Sequence, residues 1–109
     1  MKTMKKQIRL MLNYNCYPIW IYDEHNAFID NDIVSEITDN PTLCNLLEEL
    51  QHDFDSLYLN NNREFKYIGF HSEKDKNLFI KKIKTIYNLL LSNLGNKYRI
   101  TNEIDFKKL

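Results

Sequence analysis

Cys16 and Cys44, the three histidines and a run of acids are the residues of this chain whose types could do chemistry. A cysteine nucleophile needs a base in reach, and His25, His52 or His71 could supply one. No local signature surrounds either cysteine, so both read as lone buried thiols in a reducing compartment. A metal needs convergent ligands. His52, Asp53 and Asp55 lie close together on a helical stretch, but a second histidine one turn away is missing. Asp30-Asn31-Asp32 begins like a calcium loop and then lacks the glycine and the terminal glutamate. Glycoside cleavage would use two carboxylates across a cleft. Eleven acids between residues 22 and 64 make some pair unavoidable, so their number singles out none. Two glycines in 109 residues leave little room for a phosphate-cradling loop. The expectation is a protein with no catalytic residue, no metal and no cofactor.

What the composition offers instead is a surface. Net charge is zero, yet residues 1–21 carry four bases and no acid, and residues 22–64 carry eleven acids against Arg63 alone. Residues 65–109 reverse the sign, with ten bases and four acids. Lys74, Lys81, Lys82 and Lys84 give a modest basic helix face. No nucleic-acid-binding signature accompanies it, and the acidic middle would repel phosphate, so no nucleic-acid partner is expected. The acidic middle also holds Trp20 and Tyr22, residue types that often anchor interfaces. Acids around such anchors steer a basic partner.

The elements that would position these residues follow from periodicity. In KQIRLMLNY, residues 6–14, Ile8, Leu10, Leu12 and Tyr14 alternate with polar neighbours, as in a half-buried strand. PIWIYD, residues 18–23, reads as a second strand. If Ile19 and Ile21 face the core, Trp20 and Tyr22 stand on the opposite face. Asp23 to Asn26 form a turn, residues 27–29 a short third strand, and Asp32 caps a short helix over residues 33–38. Asn40-Pro41 is a favoured helix start. Leu43, Leu46, Leu47, Leu50, Phe54, Leu57 and Tyr58 follow at helical spacing, with Glu48, Glu49, Asp53 and Asp55 on the other face. Asn60 to Asn62 form a loop, and residues 64–70 a further strand. Ser72 caps a second long helix whose buried face is Phe79, Ile83, Ile86, Leu90 and Leu94, and Gly95 stops it. Residues 97–101 make a last strand. The pattern predicts an α+β fold: a mainly antiparallel sheet of four to five strands with two long helices on one face. The length favours one domain over residues 1–109. The basic start is followed by no long apolar run, so neither a signal peptide nor a membrane span is expected, and the compartment is the cytoplasm.

Five segments carry a family resemblance: CYPIWIYDE at 16–24, IDND at 29–32, DSLY at 55–58, EFKYIGF at 64–70 and SEKDK at 72–76. Together they resemble small immunity proteins encoded beside bacterial polymorphic or contact-dependent toxins. The resemblance implies a non-catalytic inhibitor that binds the C-terminal domain of a cognate toxin, blocking its active site or an exosite. Many such toxins are nucleases with basic clefts, which an acidic face would suit. The residues expected at the interface are Trp20 and Tyr22 as anchors with Asp23, Glu24, Asp30 and Asp32 in the loops. Glu48, Glu49, Asp53 and Asp55 form a second candidate patch. The alternative is an accessory or regulatory interaction module of a phage or mobile element. The sequence leaves the oligomeric state open.

Overall fold

Period-two alternation builds the sheet. In the computed structural model, which describes residues 5–61 and 63–109, β1 (Gln7–Leu10) and β2 (Ile19–Tyr22) pair antiparallel. Ile8 faces Ile21 and Leu10 faces Ile19 across the ladder. β3 (Phe28–Asp30) adds antiparallel to β2, with a register shift between Ile21 and Tyr22. β6 (Arg99–Asn102) lies on the other side of β1, giving the order β3-β2-β1-β6. Ile8, Leu10, Ile19, Ile21 and Ile100 are all buried in one cluster. Their ladder neighbours therefore stand on the opposite face.

Two helices cover the isoleucine face. α2 (Pro41–Asp55) starts where Asn40 accepts the Leu43 amide at 3.2 Å, with Pro41 at the first helical position. It buries Leu43, Leu47, Leu50 and Phe54. α3 (Glu73–Leu94) starts where Ser72 accepts the Asp75 amide at 3.1 Å and buries Phe79, Ile83, Ile86, Leu90 and Leu94. Each such side chain removed from water stabilises the fold by roughly 1.5–3 kcal/mol before entropy is counted. α1 (Ser35–Thr38) is a single turn that places Ile37 in the same core. Lys82 of α3 clamps α2, with its ammonium 2.8 Å from Asp53 and 3.3 Å from Glu49.

The α+β class and the two long helices are as expected, but the sheet differs. It is mixed: β6 runs parallel to β1, Gln7 opposite Arg99 and Leu10 opposite Asn102. The reason is the length of α3. Its 22 residues span about 33 Å and carry the chain back to the end from which β1 sets out. A parallel neighbour needs such a crossover. The strand expected over residues 64–70 leaves the main sheet. Its centre, β5 (Phe65–Tyr67), pairs with β4 (Tyr58–Asn60) as a separate hairpin, so the described residues form six strands instead of four or five. α2 accordingly ends at Asp55, and Tyr58 leaves the helical face assigned to it. Aromatic pairing explains the exchange: the Tyr58 ring stacks on Phe65 at 5.3 Å and meets Tyr67 edge-on at 5.2 Å. Such pairs add to what burial alone contributes. Gly69, at φ +76°, turns the chain out of this hairpin in a conformation that side chains rarely adopt. Of the expected Asn60–Asn62 loop and the basic start, Asn62 and residues 1–4 lie outside the described residues.

Leu47 is fully buried between the layers, whereas Leu78 on α3 is 56% exposed. Leu47→Ala should cost about 2–5 kcal/mol in urea unfolding and Leu78→Ala no more than about 0.5 kcal/mol. Equal costs at the two positions would contradict the layer arrangement.

Candidate functional site

With the isoleucines turned inward, Trp20 and Tyr22 project from the opposite face of the sheet, beside Gln7 and Arg9 of β1. Phe28 of β3 pairs with Tyr22 in the ladder and is 54% exposed. Its ring lies 6.0 Å from that of Trp20 and 5.6 Å from that of Tyr22. The Trp20 indole donates to the Met11 carbonyl at 3.2 Å, which fixes the ring's polar edge and leaves its flat surface to the cluster. Trp20 and Tyr22 are half-buried, and Phe28 is exposed.

One end of the face is closed by the turn between β2 and β3. The Asp23 carboxylate accepts the amides of His25 and Ala27, at 2.8 and 2.9 Å. Those backbone hydrogen bonds hold its pKa below the ordinary value. Asn26 sits at φ +69°, a conformation asparagine tolerates better than most residues. From there its side-chain oxygen accepts from Gln7 Nε2 at 2.6 Å and from Arg9 Nη2 at 3.1 Å. Arg9 Nη2 also donates to Gln7 Oε1 at 3.2 Å, and its guanidinium lies 3.8 Å above the Tyr22 ring. The result is an arginine held over an aromatic ring by two neutral acceptors. Arg99, opposite Gln7 in the ladder, is exposed on the same face.

The acids singled out from the sequence do not form one patch. Asp23 and Glu24 lie in the β2–β3 turn, with Glu24 at 3.9 Å from the His25 imidazole. Asp30 and Asp32 lie at the far end of β3, where each accepts the amide of its own successor. Glu48 approaches that end from α2. It and Asp32 both act on Tyr17, whose hydroxyl is pushed up by burial first, then by Cys44, Glu48 and Asp32. That hydroxyl is buried without a hydrogen-bond partner among the described residues. Glu49 and Asp53 are turned to Lys82. Burial pulls the Lys82 ammonium down, but the two carboxylates outweigh it and its pKa ends raised. Asp55 accepts the Asn15 amide at 2.8 Å and ties the β1–β2 link to the end of α2. Glu49, Asp53 and Asp55 are thus engaged in contacts between elements, whereas Glu48 accepts the Cys44 thiol of its own helix, at 3.8 Å.

Both cysteines are free and half-buried, more exposed than the sequence suggested. Among the described residues no three His, Cys, Asp or Glu side chains come together as a metal site. A cleft of about 420 Å³ lies between the β5–α3 loop and the two long helices, its lining including Leu57, Phe70 and Phe79 together with His71, Asp75 and Lys82. No helix among the described residues is long and apolar enough to cross a membrane.

The family model for Serratia CdiI immunity protein-like chains matches residues 6–103. The chain belongs to this family. It is therefore a contact-dependent inhibition immunity protein, a class that binds and neutralises a cognate toxin. No curated protein matches the chain. The match runs from the first residues of β1 to just beyond β6, so it takes in the whole four-stranded sheet, both long helices and the hairpin.

For an immunity protein the relevant feature is a fixed surface, and the sheet face turned away from the isoleucine core holds its aromatic and arginine side chains in one geometry. Sequence reasoning found its aromatics on β2 and missed Arg9, Arg99 and Phe28. Arg9 had a signal, since it falls on the polar side of the alternating strand. Its ring partner Tyr22 required the register between β1 and β2. Phe28 read as an ordinary short-strand residue.

The turn that frames this face depends on ionised Asp23. A lowered pKa means that its contribution is complete above the ordinary value of 3.8 and is lost as pH falls through the lowered one. The His25 and Ala27 amide resonances should therefore titrate together with a midpoint below 3.8. A midpoint at or above that value would mean that the carboxylate does not hold the turn.

Proposed function

We propose that this immunity protein neutralises its toxin by seating it on the open sheet face, with Trp20, Tyr22 and Phe28 as anchors and Asp23 and Glu24 at the rim. The observation that carries the reading is the aromatic cluster itself. Three neighbouring rings stand on the sheet face turned away from the isoleucine core, in a chain whose family binds a protein partner. Leaving Phe28 exposed and Trp20 and Tyr22 only half-buried is unfavourable unless something covers them. A β-sheet backbone also keeps them in place, so little ordering entropy is lost on binding.

The acids play a steering role in this reading. Asp23 and Glu24 at one end of the β2–β3 hairpin, and Asp30 and Asp32 at the other, attract basic groups at the margin of the contact. A nuclease toxin, with bases around its cleft, suits such a rim. Glu48 can extend the rim past Asp32, whereas Glu49, Asp53 and Asp55 serve the fold first. Inhibition is by occupation, with no catalytic step and no cofactor, and takes place in the cytoplasm.

Calorimetry against the inactivated toxin domain encoded with the chain tests this. Trp20→Ala and Tyr22→Ala should each weaken binding by about 2 kcal/mol or more, while Leu78→Ala on α3 should leave it unchanged. Full affinity in the Trp20→Ala, Tyr22→Ala double variant, with its fold intact, would move the interface elsewhere.

A further inference from the structure

The centre of the open face is not acidic. Arg9 is held over the Tyr22 ring at 3.8 Å, and its Nη2 donates to Gln7 and Asn26. Both acceptors are neutral. They orient the guanidinium without balancing its charge, and among the described residues neither Arg9 nor Arg99 has a carboxylate within 4.0 Å. Lys82 and Lys97, by contrast, are each paired with acids inside the fold. An arginine whose rotamer is already fixed gives up little entropy on forming a bidentate contact, and its planar fork matches a carboxylate.

We propose that Arg9, flanked by Arg99, receives a carboxylate-bearing patch of the toxin at the centre of the face that Trp20 and Tyr22 anchor. The inference rests on the docking face proposed above and adds the chemistry of what it takes. An extended polyanion such as a nucleic acid fits less well, because Asp23 and Glu24 at one end of the β2–β3 hairpin and Asp30 at the other would oppose it. A localised acidic spot, with basic groups around it for those rim acids, satisfies both signs. For a toxin that acts on a polyanion, this carries a mechanistic consequence. The basic cleft is not the surface seated on Arg9, so the immunity protein grips a flank beside the cleft and blocks entry from there.

The test measures affinity for the inactivated toxin domain at low and high salt, using Arg9→Lys, Arg9→Glu and Arg99→Glu. Each charge reversal should weaken binding at least about tenfold and flatten its salt dependence. Arg9→Lys, which keeps the charge and loses the fork, should also weaken binding. Arg9 helps hold the β2–β3 turn, so Arg99→Glu, outside that hydrogen-bonded network, separates loss of contact from loss of structure. Unchanged or tighter binding by both reversals, while Trp20→Ala still disrupts the complex, would overturn the acidic-patch assignment and leave the docking face standing. Full affinity in the Trp20→Ala, Tyr22→Ala double variant would remove the face, and this proposal with it. Tight binding of a short single-stranded oligonucleotide that Arg9→Glu abolishes would also overturn it in favour of phosphate.

Discussion

Burial of five aliphatic side chains on three neighbouring strands governs everything else in this molecule. Ile8 and Leu10, Ile19 and Ile21, and Ile100 occupy matched positions in the ladder. A strand has two faces, so giving these to α2 and α3 forces Gln7, Arg9, Trp20, Tyr22 and Arg99 onto the other. A slip of one residue in register would exchange the two sets and place an arginine in the core. The core therefore fixes the contents of the open face as firmly as any contact within it.

The polar network around Asn26 is the next level of that arrangement. It folds the β2–β3 turn back toward β1 and joins the two through Gln7 and Arg9. Gln7 is only 7% exposed although it lies on the face away from the helices. Its amide is satisfied on both sides, by Asp23 and Asn26 as acceptors and by Arg9 as donor. A buried amide with all these partners costs little and holds its neighbours in one geometry.

Local patterns in the sequence were enough for most elements. The alternation in β1 and β2, Asn40-Pro41 at the start of α2, and Ser72 and Gly95 around α3 all lie where their chemistry places them. What the pattern did not carry was pairing between distant segments. The parallel contact of β1 with β6 and the departure of β4 and β5 from the main sheet depend on how far α3 carries the chain and on aromatic contacts such as Tyr14 with Phe65. The same limit applies to the site. Trp20 and Tyr22 could be assigned to one face from their spacing alone. The acids could not be separated into structural and free sets, because Lys82 and Asn15 are far from Asp53 and Asp55 in sequence. Composition suggested an acidic surface; the fold uses much of that charge internally and puts arginines at the centre of the face.

The position of β6 has a kinetic side. Gln7 pairs with Arg99, so β1, an inner strand, waits for nearly the whole chain before its second edge is covered. Until then the β1–β2 hairpin has neither its parallel neighbour nor the long helix that buries its isoleucines. Contacts this distant in sequence make folding slower than local ones do, and they leave edges and apolar surface open meanwhile. The open face thus matures only when synthesis has passed Asn102, and an interrupted chain would carry Trp20, Tyr22 and Phe28 without the sheet that aims them.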